Sequence, residues 1–261
     1  MRRLFLLALL SSPLAAHAQI SPATNPAPAP TAVNANAAPA LGADEIARRA
    51  SARLENKPAK LTCTVEIDAA QIDSEGKPVE THSELLEETW DHGKAEQGLP
   101  AQISVDGKPL TGDDFKKAID EEKTKRAEMK EHEEKNEGGD VQAPFAKEQL
   151  AHHKFTLLRQ EQLDGRPAYV LGVAPLENKR DDLRVTREGT AWIDAESFVP
   201  LRIESHASPL PKHVDKMEFL EEFAPTAQGE TAPRSLRIEV KGGILFFTKT
   251  FRVSTRWRGC K

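Results

Sequence analysis

The stretch that most restricts the fold is residues 183–206, LRVTREGTAWIDAESFVPLRIESH, which reads as two strands joined by the tight loop Asp194-Ala195-Glu196-Ser197. Val199, Leu201 and Ile203 alternate with Arg202 and Glu204, the period-two pattern of a strand buried on one face. On the first strand Val185, Ala191 and Ile193 share one face, and Thr190, Trp192 and Asp194 share the other. Trp192 and Phe198 are expected to staple the turn across its two arms. The hairpin therefore anchors a sheet with one dry side and one wet side.

The same alternation recurs along the chain. Cys63, Val65 and Ile67 alternate with Thr64, Glu66 and Asp68, and strands follow at 155–162, 168–173, 215–223, 235–241 and 244–257. Three turns, Glu75-Gly76-Lys77-Pro78, Asp106-Gly107-Lys108-Pro109 and Asp164-Gly165-Arg166-Pro167, share one chemistry. Glycine supplies positive φ, and a proline two residues on suits a strand start or edge. They mark the hairpins of a meander. Residues 79–90 and 101–106 carry enough polar groups to read as weak, solvent-washed strands.

Two helices interrupt the strands. Ile46, Ala47, Ala50 and Leu54 recur at helical spacing over 44–54, with arginines opposite. Residues 112–137 carry a thin stripe of Phe115, Ala118 and Ile119 followed by charge paired i to i+4, as in Glu122/Arg126. The second half of that helix is expected to bury almost nothing and to project as an arm or flap. An apolar sheet face needs a cover, so one of these helices or a bound apolar ligand must supply it.

Residues 1–18 read as a cleavable secretory signal: Arg2 and Arg3, the apolar run Leu4–Leu10, and Ala16-His17-Ala18 before the cut. Residues 19–43 are an Ala/Pro-rich linker with too little apolar bulk to order itself. The folded domain is expected at 44–261. Its apolar runs fall short of the roughly 20 residues a membrane-spanning helix needs. The chain has 36 basic and 41 acidic residues, and no free-standing basic cluster, which argues against nucleic acid as a partner.

The segment GTAWIDAESFVPLRIES, residues 189–205, resembles the central hairpin of the LolA-like family of outer-membrane lipoprotein-sorting proteins. In that family a W-I-D, then P-L-R-I-E pattern builds a strongly curved antiparallel sheet around a hydrophobic cavity, and a helix leads into the first strand. The resemblance implies a mainly β, α+β fold: a curved antiparallel half-barrel with covering helices, placed in the periplasm. It implies that Val65, Ile67, Leu157, Tyr169, Leu171, Leu201, Ile203, Phe219, Ile238 and Phe247 line the concave side. There they would hold lipid or lipoprotein acyl chains by apolar burial, at about 0.8 kcal/mol per methylene. The other reading open to such a sheet is an envelope scaffold or sensor that docks a protein partner, with the charged helix as its arm.

Residues with catalytic potential do not group into a recognisable pattern. No nucleophile elbow, phosphate loop or dinucleotide fingerprint occurs, and His132 lacks the second histidine of a zinc motif. His152 and His153, adjacent in a strand, point to opposite faces. The expected activity is binding without a cofactor or metal. Cys63 and Cys260 are the two cysteines; in an oxidising compartment they either pair or stay as free thiols.

Overall fold

The computed structural model describes residues 41–56, 58, 60–91, 94–134, 143–176, 186–211, 213–226, 230–244 and 247–261. The side chains of residues 129–134, 244 and 247 are outside that description. The signal segment and nearly all of the linker also lie outside the described residues, as do residues 183–185 of the anchor hairpin and 135–137 of the charged insertion.

Helix α1 (Ala43–Glu55) leads into β1 (Lys60–Ile72), β2 (Pro78–Asp91), β3 (Lys94–Gln97), β4 (Gln102–Val105) and β5 (Lys108–Pro109). Helix α2 (Gly112–Glu134) and a short 3-10 helix (Lys147–His152) follow. Strands β6 (His153–Leu163), β7 (Arg166–Pro175), β8 (Thr186–Asp194), β9 (Pro200–Ser208), β10 (Val214–Pro225), β11 (Thr231–Ile244) and β12 (Phe247–Arg258) complete the chain. They form one open antiparallel sheet in the order β5-β4-β2-β1-β12-β11-β10-β9-β8-β7-β6, with β3 on β2. The mainly β half-barrel with helices against it is therefore the fold found.

Its meander is punctuated where glycine turns were expected. Asp106 and Gly107, and Asp164 and Gly165, both take positive φ, the conformation of a two-residue hairpin turn. Apart from β2 against β4, which passes over β3, the non-sequential junction among the described strands is β1 against β12, which pairs Thr64 with Arg258 and joins the amino-terminal strands to the rest.

Register decides which residues share a face, because directly paired residues in an antiparallel ladder project to the same side. Leu157, Leu171, Ala191, Ile203, Glu221, Leu236, Thr255, Ile67, Glu84 and Ile103 stand opposite one another in turn, from one edge of the sheet toward the other. The next row contains Ser205, Phe219, Ile238, Val253 and Ala69. One mainly apolar face thus runs across the sheet, as the alternation implied, with Glu221, Thr255 and Glu84 buried within it.

Two packed clusters sit on it. Ile46, Ala47 and Ala50 of α1 and Phe145 pack on Phe155, Leu171, Ala191, Ile193 and Ile203 over β6–β9. Phe145 and Phe155 lie 5.3 Å apart, centroid to centroid, and tilted. Leu61, Cys63, Val65, Ile67 and Leu86 form the second cluster over β1 and β2, with Trp90 and Trp257 against it. The two cysteines pair as a disulfide, Cα atoms 4.2 Å apart, which ties β1 to the end of the chain. Beside it, Thr62 and Lys261 exchange two backbone hydrogen bonds.

Helix α1 is fastened at its carboxyl end. Arg53 Nε donates to the Ser197 carbonyl at 2.8 Å, and Thr231 Oγ1 donates to the Arg53 carbonyl at 3.0 Å. Acids in its first turn and Arg53 in its last complement the helix dipole.

Three local expectations change. Trp192 and Phe198 do not staple the turn, because they occupy opposite faces. Phe198, at φ 62°, stacks on Tyr169 beneath Arg49, whereas Trp192 Nε1 donates to Glu161 and faces Arg202. Strand β2 is not weak: it is 14 residues long, and its polar residues Glu84 and Glu88 are buried with hydrogen-bond partners. Helix α2 is held beyond its apolar first turns, since Arg126 Nη1 donates to the Gln97 carbonyl at 2.7 Å while Nε pairs with Glu122.

Candidate functional site

Among the described residues, the clusters at either end leave the middle of the apolar face without a covering element, with Val253 at the margin of the second cluster. Met217 on β10, Ile238 and Val240 on β11, and Phe251 and Val253 on β12 line a shallow depression there, each half-buried. These strands form the face because their apolar residues fall on alternate positions, and register brings Met217, Val240 and Phe251 into one row. The cavity volume is about 20 Å³, little more than a water molecule, and the lining is almost wholly apolar. This is a surface for apolar side chains or chain segments to lie on.

Both flanks of the strip are polar. On the β12 side Lys249 Nζ stands 6.0 Å from the Phe251 ring and donates to Gln71 Oε1 at 2.7 Å. On the β9 side Arg187 is fully buried, reaching from β8 across β9 to β10. Its Nη2 and Nη1 meet the Glu221 carboxylate at 2.7 and 3.2 Å, and its Nε and Nη2 reach Ser205 Oγ at 3.0 and 2.8 Å. The guanidinium lies 4.3 Å from the centroid of the Phe219 ring, whose residue pairs with Ile238 at the strip. His153, also buried, sets its ring nitrogens against the carbonyls of Gln149 and Arg187 at 2.9 and 3.0 Å.

The opposite face of β9–β12 is a ladder of cross-strand ion pairs. Glu239 takes Lys216 at 3.2 Å and Arg252 at 2.8 Å, and Arg256 spans Glu66 and Asp68 at 3.2 and 2.6 Å. Burial raises the Glu239 carboxyl, but the hydrogen bonds from Arg252 and Lys216 outweigh it and hold the group below the ordinary glutamate range. Burial lowers Arg237, and the nearby charges of Arg252 and Arg202 push in the same direction. Charge satisfied by charge makes this the hydrated side.

The ten residues expected to line a cavity separate into distinct places. Nine have described side chains and lie on or next to the apolar face. Leu171 and Ile203, with Leu157 and Tyr169 against them, belong to the α1-covered cluster, and Val65 and Ile67 belong to the disulfide-side cluster. Leu201 is buried beside the hairpin turn, and Phe219 lies under Arg187. Ile238 reaches the strip. Phe247 begins β12, and its side chain is outside the described residues.

Met217, Val240, Phe251 and Val253 were missing from that expectation although their alternation was visible; what was invisible is where α1 stops covering the sheet. Arg187 was missed too. Its parity with Ala191 and Ile193 placed it on the dry face all along.

Among the described residues no group of three or more His, Cys, Asp and Glu side chains comes together as a metal site, and no helix is long and apolar enough to cross a membrane. No family model matches the chain, and no curated protein does. Solved structures are similar at low identity. A DUF1329 family protein from Desulfovibrio piger is 11% identical, with 85% of this chain and 93% of that one covered and a TM-score of 0.41. A candidate outer membrane lipoprotein-sorting protein domain from Vibrio parahaemolyticus is 13% identical, covering 84% and 91%, with a TM-score of 0.37. A LolA superfamily protein from Nitrosomonas europaea is 14% identical, covering 85% and 94%, with a TM-score of 0.32.

Proposed function

We propose that this protein is a non-enzymatic binding protein of the cell envelope, exported by its first 18 residues, whose β10–β12 strip docks apolar side chains of a protein partner. The observation that carries this reading is the strip itself: a half-exposed apolar patch that none of the described residues covers, between two packed clusters and too shallow to enclose a ligand. Exposed apolar patches rimmed by polar groups are characteristic of docking sites. With strands about 4.8 Å apart, three of them offer roughly the width of one helix or one extended segment.

A second reading, acyl chains of a lipid or lipoprotein laid along the same strip, is favoured by its almost wholly apolar lining. A chain held this way lies on the strip with one side in water, because a depression of about 20 Å³ encloses no acyl chain.

A photo-crosslinking residue at Val240, compared with one at Ser254 on the hydrated face, separates these readings. Adducts of one protein at Val240 alone support docking, and adducts that extract as lipid transfer the site to acyl chains. Equal labelling at both positions, together with a bare polypeptide mass under native conditions, would remove the strip as a binding site.

A further inference from the structure

Glu88 occupies an unusual position for a carboxyl group: 2% exposed, on the apolar face, in direct register with Cys63. Its three donors among the described residues are neutral. Oε1 accepts the indole N–H of Trp90 and that of Trp257, both at 2.7 Å, and Oε2 accepts Gln97 Nε2 at 2.8 Å. Both of its oxygens accept, and the group is fixed by an indole from its own strand and another from β12. The cage therefore bridges β2 to β12 across β1, beside the Cys63–Cys260 bond.

The two sulfurs are unequal. Cys260 belongs to an exposed residue, whereas Cys63 is 1% exposed. A dithiol reductant can approach only from the Cys260 side. Its thiolate attacks Cys260 Sγ, the S–S bond breaks, and the electron pair leaves on Cys63 Sγ. The second thiol of the reductant then displaces Cys260 from the mixed disulfide. The reductant ends as a disulfide and the protein as two thiols, each having gained one proton. The Cys63 thiolate released in the first step forms in a buried site opposite the Glu88 carboxylate.

We propose that Glu88, positioned by Trp90 and Trp257, is a guard that keeps the Cys63–Cys260 bond oxidised by placing a fixed negative charge where the leaving thiolate must form. Facing side chains in a ladder stand about 5 Å apart at Cβ. Like charges roughly 5–7 Å apart, in an environment of intermediate dielectric, disfavour the thiolate by roughly a hundredfold. Exchange rates reflect about half of such an effect on a logarithmic scale, so the guard slows reduction about tenfold. The bond it protects secures the β1–β12 junction between the two halves of the sheet, and the inference does not depend on what the strip binds.

The test is the rate of thiol release from the full oxidised chain in dithiothreitol at neutral pH. Glu88→Gln, which keeps the size and an oxygen for the two indoles while the Gln97 amide turns to accept from the new NH2, removes the charge and is expected to be reduced about tenfold faster than the native protein. Leu86→Val, which trims the same cluster and leaves the carboxyl group and its three donors in place, is expected to stay within about twofold of native. Equal rates for Glu88→Gln and native protein would overturn the proposal. So would a Leu86→Val rate matching Glu88→Gln, since packing rather than charge would then be the protection. Should Glu88→Gln not fold, Glu88→Met, which removes the charge and keeps the length, takes its place: reduction about tenfold faster than native sustains the guard, and a native rate refutes it.

Discussion

The Arg187–Glu221 pair gives the sharpest test of the core, because it sets a fully buried cation against a carboxylate beneath an otherwise apolar face. Glu221→Leu removes the two contacts at 2.7 and 3.2 Å and leaves the guanidinium with Ser205 Oγ and the Phe219 ring. An uncompensated buried charge costs about 3–5 kcal/mol, and Arg187→Met, which strands the carboxylate, should cost a similar amount. The double variant Arg187→Met/Glu221→Leu removes both charges and refills the space with apolar atoms, so its net cost should be below about 1 kcal/mol. The coupling between the two sites is then several kcal/mol, well outside the scatter of independent substitutions. Urea unfolding followed by tryptophan fluorescence, with the disulfide intact and the slope of the transition checked for constancy, measures all four corners of the cycle. Single variants costing under about 1 kcal/mol, or a double variant costing the sum of the singles, would refute the argument.

Other expectations follow from the same reasoning. Ile238→Asp should abolish capture at the strip while changing stability little, because the residue is half-buried; stability lost without loss of crosslinking at Val240 would contradict it. Burial raises the Asp194 carboxyl, but hydrogen bonds from Arg166, the Ser197 amide and the Ser197 hydroxyl outweigh it and keep the group below the usual aspartate value. Its contribution is therefore present above an unfolded pKa near 3.9 and lost as pH falls through the lower folded value. Asp194→Asn should cost about 2 kcal/mol at neutral pH and flatten the acid limb of the stability curve; an unchanged acid limb would exclude it. Gly189→Ala drives a Cβ into the Glu204 carbonyl oxygen and should destabilise by about 3 kcal/mol, read as a shifted urea midpoint. Replacing both cysteines by alanine opens a ring spanning 197 residues and should cost roughly 5 kcal/mol by the chain-entropy model, a loss that calorimetry would detect.

Much of the fold was legible because period-two alternation and glycine turns are local signals. The hairpin from Thr186 to His206, α1 and the succession β6 to β12 could be read from neighbours alone. Strand β2 misled, since Glu84 and Glu88 look solvent-facing until His82, Trp90 and Trp257 are seen to satisfy them. The strip was only half legible. That Val240 and Phe251 lie on the dry face is a matter of parity, but that they stay bare while Leu171 and Ile203 do not depends on α1, a long-range packing outcome with no local trace.

The β1–β12 junction has a consequence for the order of assembly. It pairs residues nearly a whole chain length apart, Thr64 with Arg258, while every other ladder joins strands close in sequence. Loop closure makes such a contact slow to nucleate. Two meanders can form early, each with a bare strand edge and a greasy flank that invite misassociation. They become one sheet only when the last strand arrives, and the strip, carried on β10 to β12 beside that joint, is completed at the same late step.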